Sequence, residues 1–280
     1  MRQPVFKILL VGGIFALSAC GEAGKTDVTR AVSNAAAAEA ESIREIMLTV
    51  AEPREAVAYF QRQQEIEPDE IDHQRGIATS LVRAGRQAES VLAWQKVVDH
   101  PDSGNEDLVF LADAMIRSSD WAAAKIVLDT IPPTHETFAR YRLEAMVADS
   151  NRQWDRADSF YETAVDLTTT PAGVMNNWGY SKLTRGDTDA AERLFTEAIT
   201  YDPKMFTAKN NLVLARAQRR NYALPIVPMT QEERAQLLHT AGLAAVKQGD
   251  LDVGRSLLTD AIDTHPRHFE AAVRALQTLG

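Results

Sequence analysis

The feature that most constrains this chain is an internal repeat. Stepping back from Ala191 by about 34 residues at a time reaches Ala157, Ala124, Ser90 and Ala56, all of them small. Four residues after each of these come Phe195, Tyr161, Leu128, Trp94 and Phe60, all of them large. Three further on lie Ala198, Ala164, Ile131, Val97 and Gln63. Spacings of four and three keep such residues on one face of a helix. A second small position falls on Gly179, Ala145, Ala112 and Ala78, and fails at Arg44. Downstream, Gly242, Gly249, Gly254, Leu258, Ala261 and Pro266 rebuild the template. Two antiparallel helices approach closely only where side chains are small, and the large residue of the second helix is expected to wedge into the adjoining hairpin. One hairpin cannot bury its apolar face alone, so neighbours must stack. From Ser42 onward there is little strand-like alternation. The pattern predicts an all-α stack of helical hairpins.

The repeat breaks once. Lys209 to Ala215 reads as a good first helix, but the second helix should carry a small residue where the chain has Pro225. Pro228 follows. Proline inside a helix removes a hydrogen bond and clashes with the preceding turn, so an extended connector is expected near residues 219–230. It reads equally as a kink or docking strip and as a decayed repeat kept as a loop. Thr230 then resembles an N-cap, with Glu233 completing a capping box. At the two ends, the first repeat near residues 37–70 carries Arg44 and Gln63 at small or apolar positions and reads as a polar cap. Phe269 to Leu279 is expected to cover the last hairpin.

One segment sets the register: Met175, Asn176, Asn177, Trp178 and Gly179, then Gly186, Ala190, Ala191, Leu194, Phe195, Ala198 and Pro203. It resembles the tetratricopeptide repeat, with Trp178, Met175 and Lys182 departing from that family's usual residues. The resemblance implies a tetratricopeptide-like helical-hairpin solenoid whose first helices line a groove. It also implies that an asparagine just before the large apolar residue can grip the backbone of an extended peptide. Asn177 and Asn211 occupy that position, with Asn176 and Asn210 one residue earlier. An amide offers both a donor and an acceptor for a peptide bond; the bland alternative is that these amides merely solvate the groove. Arg142 and Lys209 are further groove candidates.

The N-terminus carries an address. Arg2 and Lys7 precede an apolar run from Ile8 to Leu17, too short to span a bilayer comfortably but matching the apolar region of a secretory signal. Leu17, Ser18, Ala19 and Cys20 follow. This resembles the bacterial lipobox, which implies cleavage before Cys20 and acylation, palmitate included, at that residue. Gly21 in place of Asp resembles outer-membrane sorting, with the body facing the periplasm. The expected organisation is a signal peptide over 1–19, a lipidated flexible tether over 20–41, and the repeat domain over 42–280. Cys20 is the one cysteine, so no intramolecular disulfide can form.

Composition excludes several function classes. The formal net charge is −9, and removing residues 1–19 would take away two basic residues and no acidic one. Nucleic acid as a partner needs clustered basic residues; the local group Arg216, Arg219 and Arg220 reads more simply as a soluble helix end. The histidines form no HExxH, and His265 and His268 flank Pro266 at a turn. Neither GxSxG nor GxGxxG occurs, and Gly24-Lys25-Thr26 lacks the glycine a phosphate loop requires. No enzyme activity, metal, cofactor or small-molecule substrate is expected.

The lipobox, the acidic repeats and the run NNLVLARAQRRNYALPIVPMT followed by a final repeat resemble the TadD family, lipoproteins of the tight-adherence (Flp) pilus machinery. That resemblance covers most of the chain after Cys20, most specifically residues 174–270. It implies a non-catalytic scaffold that helps the pilus secretin or other Tad components assemble. The alternatives are a pilotin-like or outer-membrane assembly scaffold of another system, and a lipoprotein accessory of a cell-wall enzyme.

Overall fold

The computed structural model describes residues 20–279, and all regular structure in that range is α-helical. The signal segment, residues 1–19, lies outside the described residues, as does the side chain of Cys20. The chain divides into two compact units, the first ending at Val97 and the second beginning at Val98.

In the first unit, α1 (Cys20–Thr49), α2 (Pro53–Ile66), α3 (Ile71–Arg83) and α4 (Gln87–Val98) follow one another. The segment read as a tether is helical here, because α1 runs unbroken through it. The Ala35–Ala38 run and the lack of proline favour helix, and residues 30–35 and 37–41, poor in large apolar side chains, are exposed. Arg44 stands where a small residue was expected, and its guanidinium bonds Asp72 on α3 at 2.7 Å. Arg83 on α3 donates to the carbonyls of Met47 and Ala51, each at 2.8 Å, tying down the C-terminal end of α1.

The second unit holds α5 (Asn105–Arg117), α6 (Trp121–Thr130), α7 (Phe138–Ser150), α8 (Trp154–Asp166), α9 (Ala172–Thr184), α10 (Thr188–Tyr201), α11 (Phe206–Ala217), α12 (Gln231–Lys247), α13 (Leu251–Thr264) and α14 (Glu270–Gln277). Four hairpins pair α5 with α6, α7 with α8, α9 with α10 and α12 with α13, while α11 is followed by a connector in place of a second helix and packs on α12. The template residues form the core. Ala112, Ala145, Ala124, Ala157, Ala191, Phe195, Ala198, Leu258 and Ala261 are completely buried, and Leu128 and Tyr161 nearly so.

The key contact differs from expectation in one respect. Phe195 lies first against Gly179 of its own hairpin, where an added Cβ would meet its ring at 2.7 Å, and only then reaches the α11 residues Leu212 and Ala215. Leu258 treats Gly242 of its own hairpin the same way. Phe60 does lie on the next helix, over Gly76; in the first repeat the small position of the template is the charged Arg44.

The turns report the repeat independently. Left-handed backbone occurs at Gly85, Ser119, Arg152, Gly186, Arg220 and Gly249, each just after a first helix. At two turns of the second unit the next residue caps the second helix: the side chains of Asp120 and Asp187 accept from the backbone N–H groups of Ala123 and Ala190, 3.0 and 3.2 Å away. At the break, Arg220 takes the same left-handed turn and Asn221 stands at the cap position. Its side chain instead accepts from Ala223, 3.2 Å away. Pro225 lacks the N–H that would bond the Asn221 carbonyl, and Leu224 before it is pushed toward extended backbone. The second helix is therefore signalled and not made.

The connector runs extended from residue 221 to 230, with Tyr222, Leu224, Val227 and Met229 turned inward in near alternation and Ile226 fully exposed. Tyr222, Leu224 and Met229 pack with Val213, Leu237 and Leu257, and Val227 packs on the α9–α11 cluster. These side chains fill the space of the missing helix. Thr230 and Glu233 form the expected capping box, with reciprocal bonds of 3.1 and 3.0 Å.

Gly179→Ala should lower stability by about 2 kcal/mol through overpacking against Phe195, read as a lower urea midpoint; an unchanged midpoint would show that the ring has room to move.

Candidate functional site

The groove is built by one stripe of each of α7, α9 and α11. On α9, Asn176, Asn177, Tyr180, Ser181 and Thr184 recur at helical spacing and line a cavity of 540 Å³. Met146, Asp149 and Ser150 on α7 form one wall, and Thr207 and Asn211 on α11 the other. Trp121, Trp154 and Tyr161 reach it from the second helices. Tyr180 is 55% exposed within it.

The sequence candidates divide. Asn211 is 8% exposed, and its amide donates to Asn176 Oδ1 at 3.0 Å, which joins α11 to α9 across the groove. Among the hydrogen bonds of the described residues, the Asn177 amide makes one long contact, to Met146 Sδ at 3.9 Å, which leaves it open to a ligand. Three candidates are engaged with other parts of the protein. Asn210 lies one residue off the stripe, and its Oδ1 accepts from Thr240 on α12 at 2.8 Å. Arg142 is bound to Asp113 on α5 at 2.9 Å and is not among the lining residues. Lys209 is 1% exposed; its ammonium donates to the Pro228 carbonyl at 2.9 Å and to Glu233 at 3.2 Å, so it fastens the connector and does not face the groove.

Sequence reasoning missed Asp149, Tyr180 and Ser181. Stepping four residues from Asn176 and Asn177 along the same face would have found the last two. Asp149 sits at the base. Ser181 Oγ donates to one of its oxygens at 2.6 Å, and Tyr161 Oη to the other at 3.0 Å. Burial raises the Asp149 carboxyl above its ordinary value, outweighing the lowering by those two bonds. Burial also pushes the Tyr161 phenol far upward, so it stays a donor.

Behind the groove, Tyr161 stacks on Trp178 with centroids 6.0 Å apart. The Trp178 indole donates to Asp158 at 2.6 Å, Lys182 donates to the same carboxylate at 2.8 Å, and Arg185 also binds it. For Asp158 burial acts upward, but the bonds from Arg185, Lys182 and Trp178 outweigh it and hold the carboxyl below its ordinary value. This network braces α8 against α9.

Among the described residues, no group of three His, Cys, Asp or Glu side chains could hold a metal ion, and no helix is long and apolar enough to cross a membrane.

The family model for the tetratricopeptide repeat matches residues 176–224 and 239–278. The gap between the two matches holds Pro225, Pro228 and the start of α12. In structure, the chain resembles the Cut9–Hcn1 hetero-tetramer of the APC/C, with a TM-score of 0.59 at 11% identity, over 81% of this chain and 46% of that one. The fold is tetratricopeptide-like. Human IFIT1 in a complex with m7Gppp-AAAA gives a TM-score of 0.58 at 15% identity, over 81% and 58% of the two chains. A tetratricopeptide repeat protein from Parabacteroides merdae gives 0.54 at 12%, over 81% and 92%. The chain thus spans less than two thirds of the first and second of these. No curated protein matches it in sequence. These likenesses show the fold, and the family match is to its repeating unit.

Asp158→Asn should cost about 2 kcal/mol at neutral pH, the scale of lost bonds to a charged group. Because the folded carboxyl titrates below its ordinary value, its contribution is present above that value and lost as pH falls through the folded one. The gap between variant and wild type in urea should therefore close in acid. A gap that persists unchanged at low pH would refute the assignment.

Proposed function

We propose that the protein is a non-catalytic scaffold that docks an extended segment of a protein partner in the α7–α9–α11 groove. The observation that carries this is the lining itself: an exposed Tyr180, an open Asn177 amide and apolar walls share one concave face. Apolar clefts with a few fixed polar groups are the usual form of a binding site, and an amide can serve both halves of a peptide bond. A fold of this kind fixes no partner by itself.

The sequence narrows the setting. The lipobox-like Leu17-Ser18-Ala19-Cys20, the acidic repeats and the proline-interrupted run before the final repeat support a TadD-like lipoprotein of Flp pilus assembly. In this reading Cys20 carries the lipid, the body faces the periplasm from the outer membrane, and the partner is the pilus secretin or another Tad component.

Deleting the gene should reduce assembled secretin multimers and surface pili, and a copy carrying Asn177→Ala with Asn211→Ala should restore neither fully while keeping its helical circular dichroism. Full restoration by that copy would remove the groove from the reading; normal multimers and pili in the deletion strain would remove the pilus.

Cys20→Ser should abolish metabolic labelling with palmitate and release the protein from the membrane fraction. Labelling that survives the change would refute the anchor.

A further inference from the structure

The lining of the groove carries information about its ligand beyond the bare capacity to dock one. Asp149 is the single charged side chain among the lining residues. Each of its oxygens accepts one bond from the protein, whereas an ionised carboxylate can accept about four. Its partners, Ser181 and Tyr161, are both neutral donors. Nearby guanidiniums are already engaged: Arg185 binds Asp158, and Arg142 binds Asp113. The upward displacement of the Asp149 carboxyl agrees with a negative charge that burial leaves under-compensated.

The walls around this carboxylate are aromatic. Trp121, Trp154, Tyr161 and Tyr180 all border the cavity. Ring faces attract cations, most strongly when water is excluded. The fold already uses one of these rings so, because the Arg185 guanidinium lies 5.4 Å from the centroid of Trp154. The chain as a whole is acidic, at −9, so its long-range field also favours a basic partner.

We infer that the groove selects an extended partner segment bearing a lysine or arginine side chain, which seats its charge on Asp149 between the aromatic rings. This rests on the docking reading above. Asn177 would hold the backbone of the segment, and Asp149 would choose the side chain. An acidic residue at the same position would meet like charge in a part-buried site and be rejected.

The test uses the full-length protein and three oriented libraries of short peptides, identical except for one fixed position occupied by Lys, Gln or Glu. The Lys library should be retained about tenfold better than the Gln library, a difference of about 1.4 kcal/mol, with the Glu library weakest. Added salt should narrow the Lys preference, as for a part-exposed charge pair. Asp149→Asn should erase the Lys preference over Gln, and Asn177→Ala should weaken all three alike. Equal retention of the three libraries by wild-type protein would overturn the charge selection and leave docking standing. Retention of none would overturn both. The comparison within wild type decides the matter even where Asp149→Asn folds poorly.

Discussion

The structure depends on one contact repeated along the chain: a large side chain on a second helix pressed against a missing or minimal side chain on a first helix. Within one hairpin, Phe195 over Gly179 shows it directly, since an added Cβ would meet the ring at 2.7 Å. The contact sets how close the two helices come, and closeness lets Ala191 and Ala198 bury completely on either side. It also continues outward, since the same ring joins the cluster with Leu212 and Ala215 of the next helix. Pairing within a hairpin and stacking between hairpins are thus the work of one residue per repeat. That is why the sequence tolerates Phe, Tyr, Leu or Trp there, provided the volume is kept; in the first repeat, where the small position is Arg44, Phe60 lies over Gly76 of the following helix.

This arrangement explains which parts of the fold could be read from the residues. Small–large–small spacing has a direct geometric meaning, so the hairpins, the connector and the Thr230 cap were all legible. The turns were only partly so. Glycine marks the left-handed position at Gly85, Gly186 and Gly249, but Ser119, Arg152 and Arg220 adopt it without that signature. Their conformation is imposed by the helices on either side, at the cost of about 1 kcal/mol or more that a non-glycine residue bears there.

The groove was legible in part for a similar reason. Neighbouring residues on a helix point about 100° apart, so a motif read as a run of adjacent residues mixes faces. Asn211 belongs to the groove, Asn210 turns to Thr240, and Lys209 turns to the connector. Asp149 escaped notice because no motif marks it. Its role comes from Tyr161 on α8 and Ser181 on α9 converging on one carboxylate, and only the packed hairpins bring those residues together.

The break near Pro225 shows what a stack of this kind requires of its members. Between left-handed turns the chain advances by 33 or 34 residues as far as Arg220, and by 29 from there to Gly249. A shorter, extended strip must then present the next first helix to its neighbour. Hydrophobic filling by Tyr222, Leu224 and Met229 supplies area but little direction, because burial is roughly proportional to area and not to orientation. Direction comes from polar anchors at both ends of the strip. Tyr222 Oη donates to Asp250 at 2.5 Å and Arg220 binds the same carboxylate, fixing the strip to the turn before α13. Lys209 takes the Pro228 carbonyl and Glu233, fixing its other end to the start of α12. A buried ammonium is costly unless paired and bonded, so Lys209 is satisfied in one placement of the strip and penalised in others. The charge that looked like a groove residue is what holds the interrupted repeat in register.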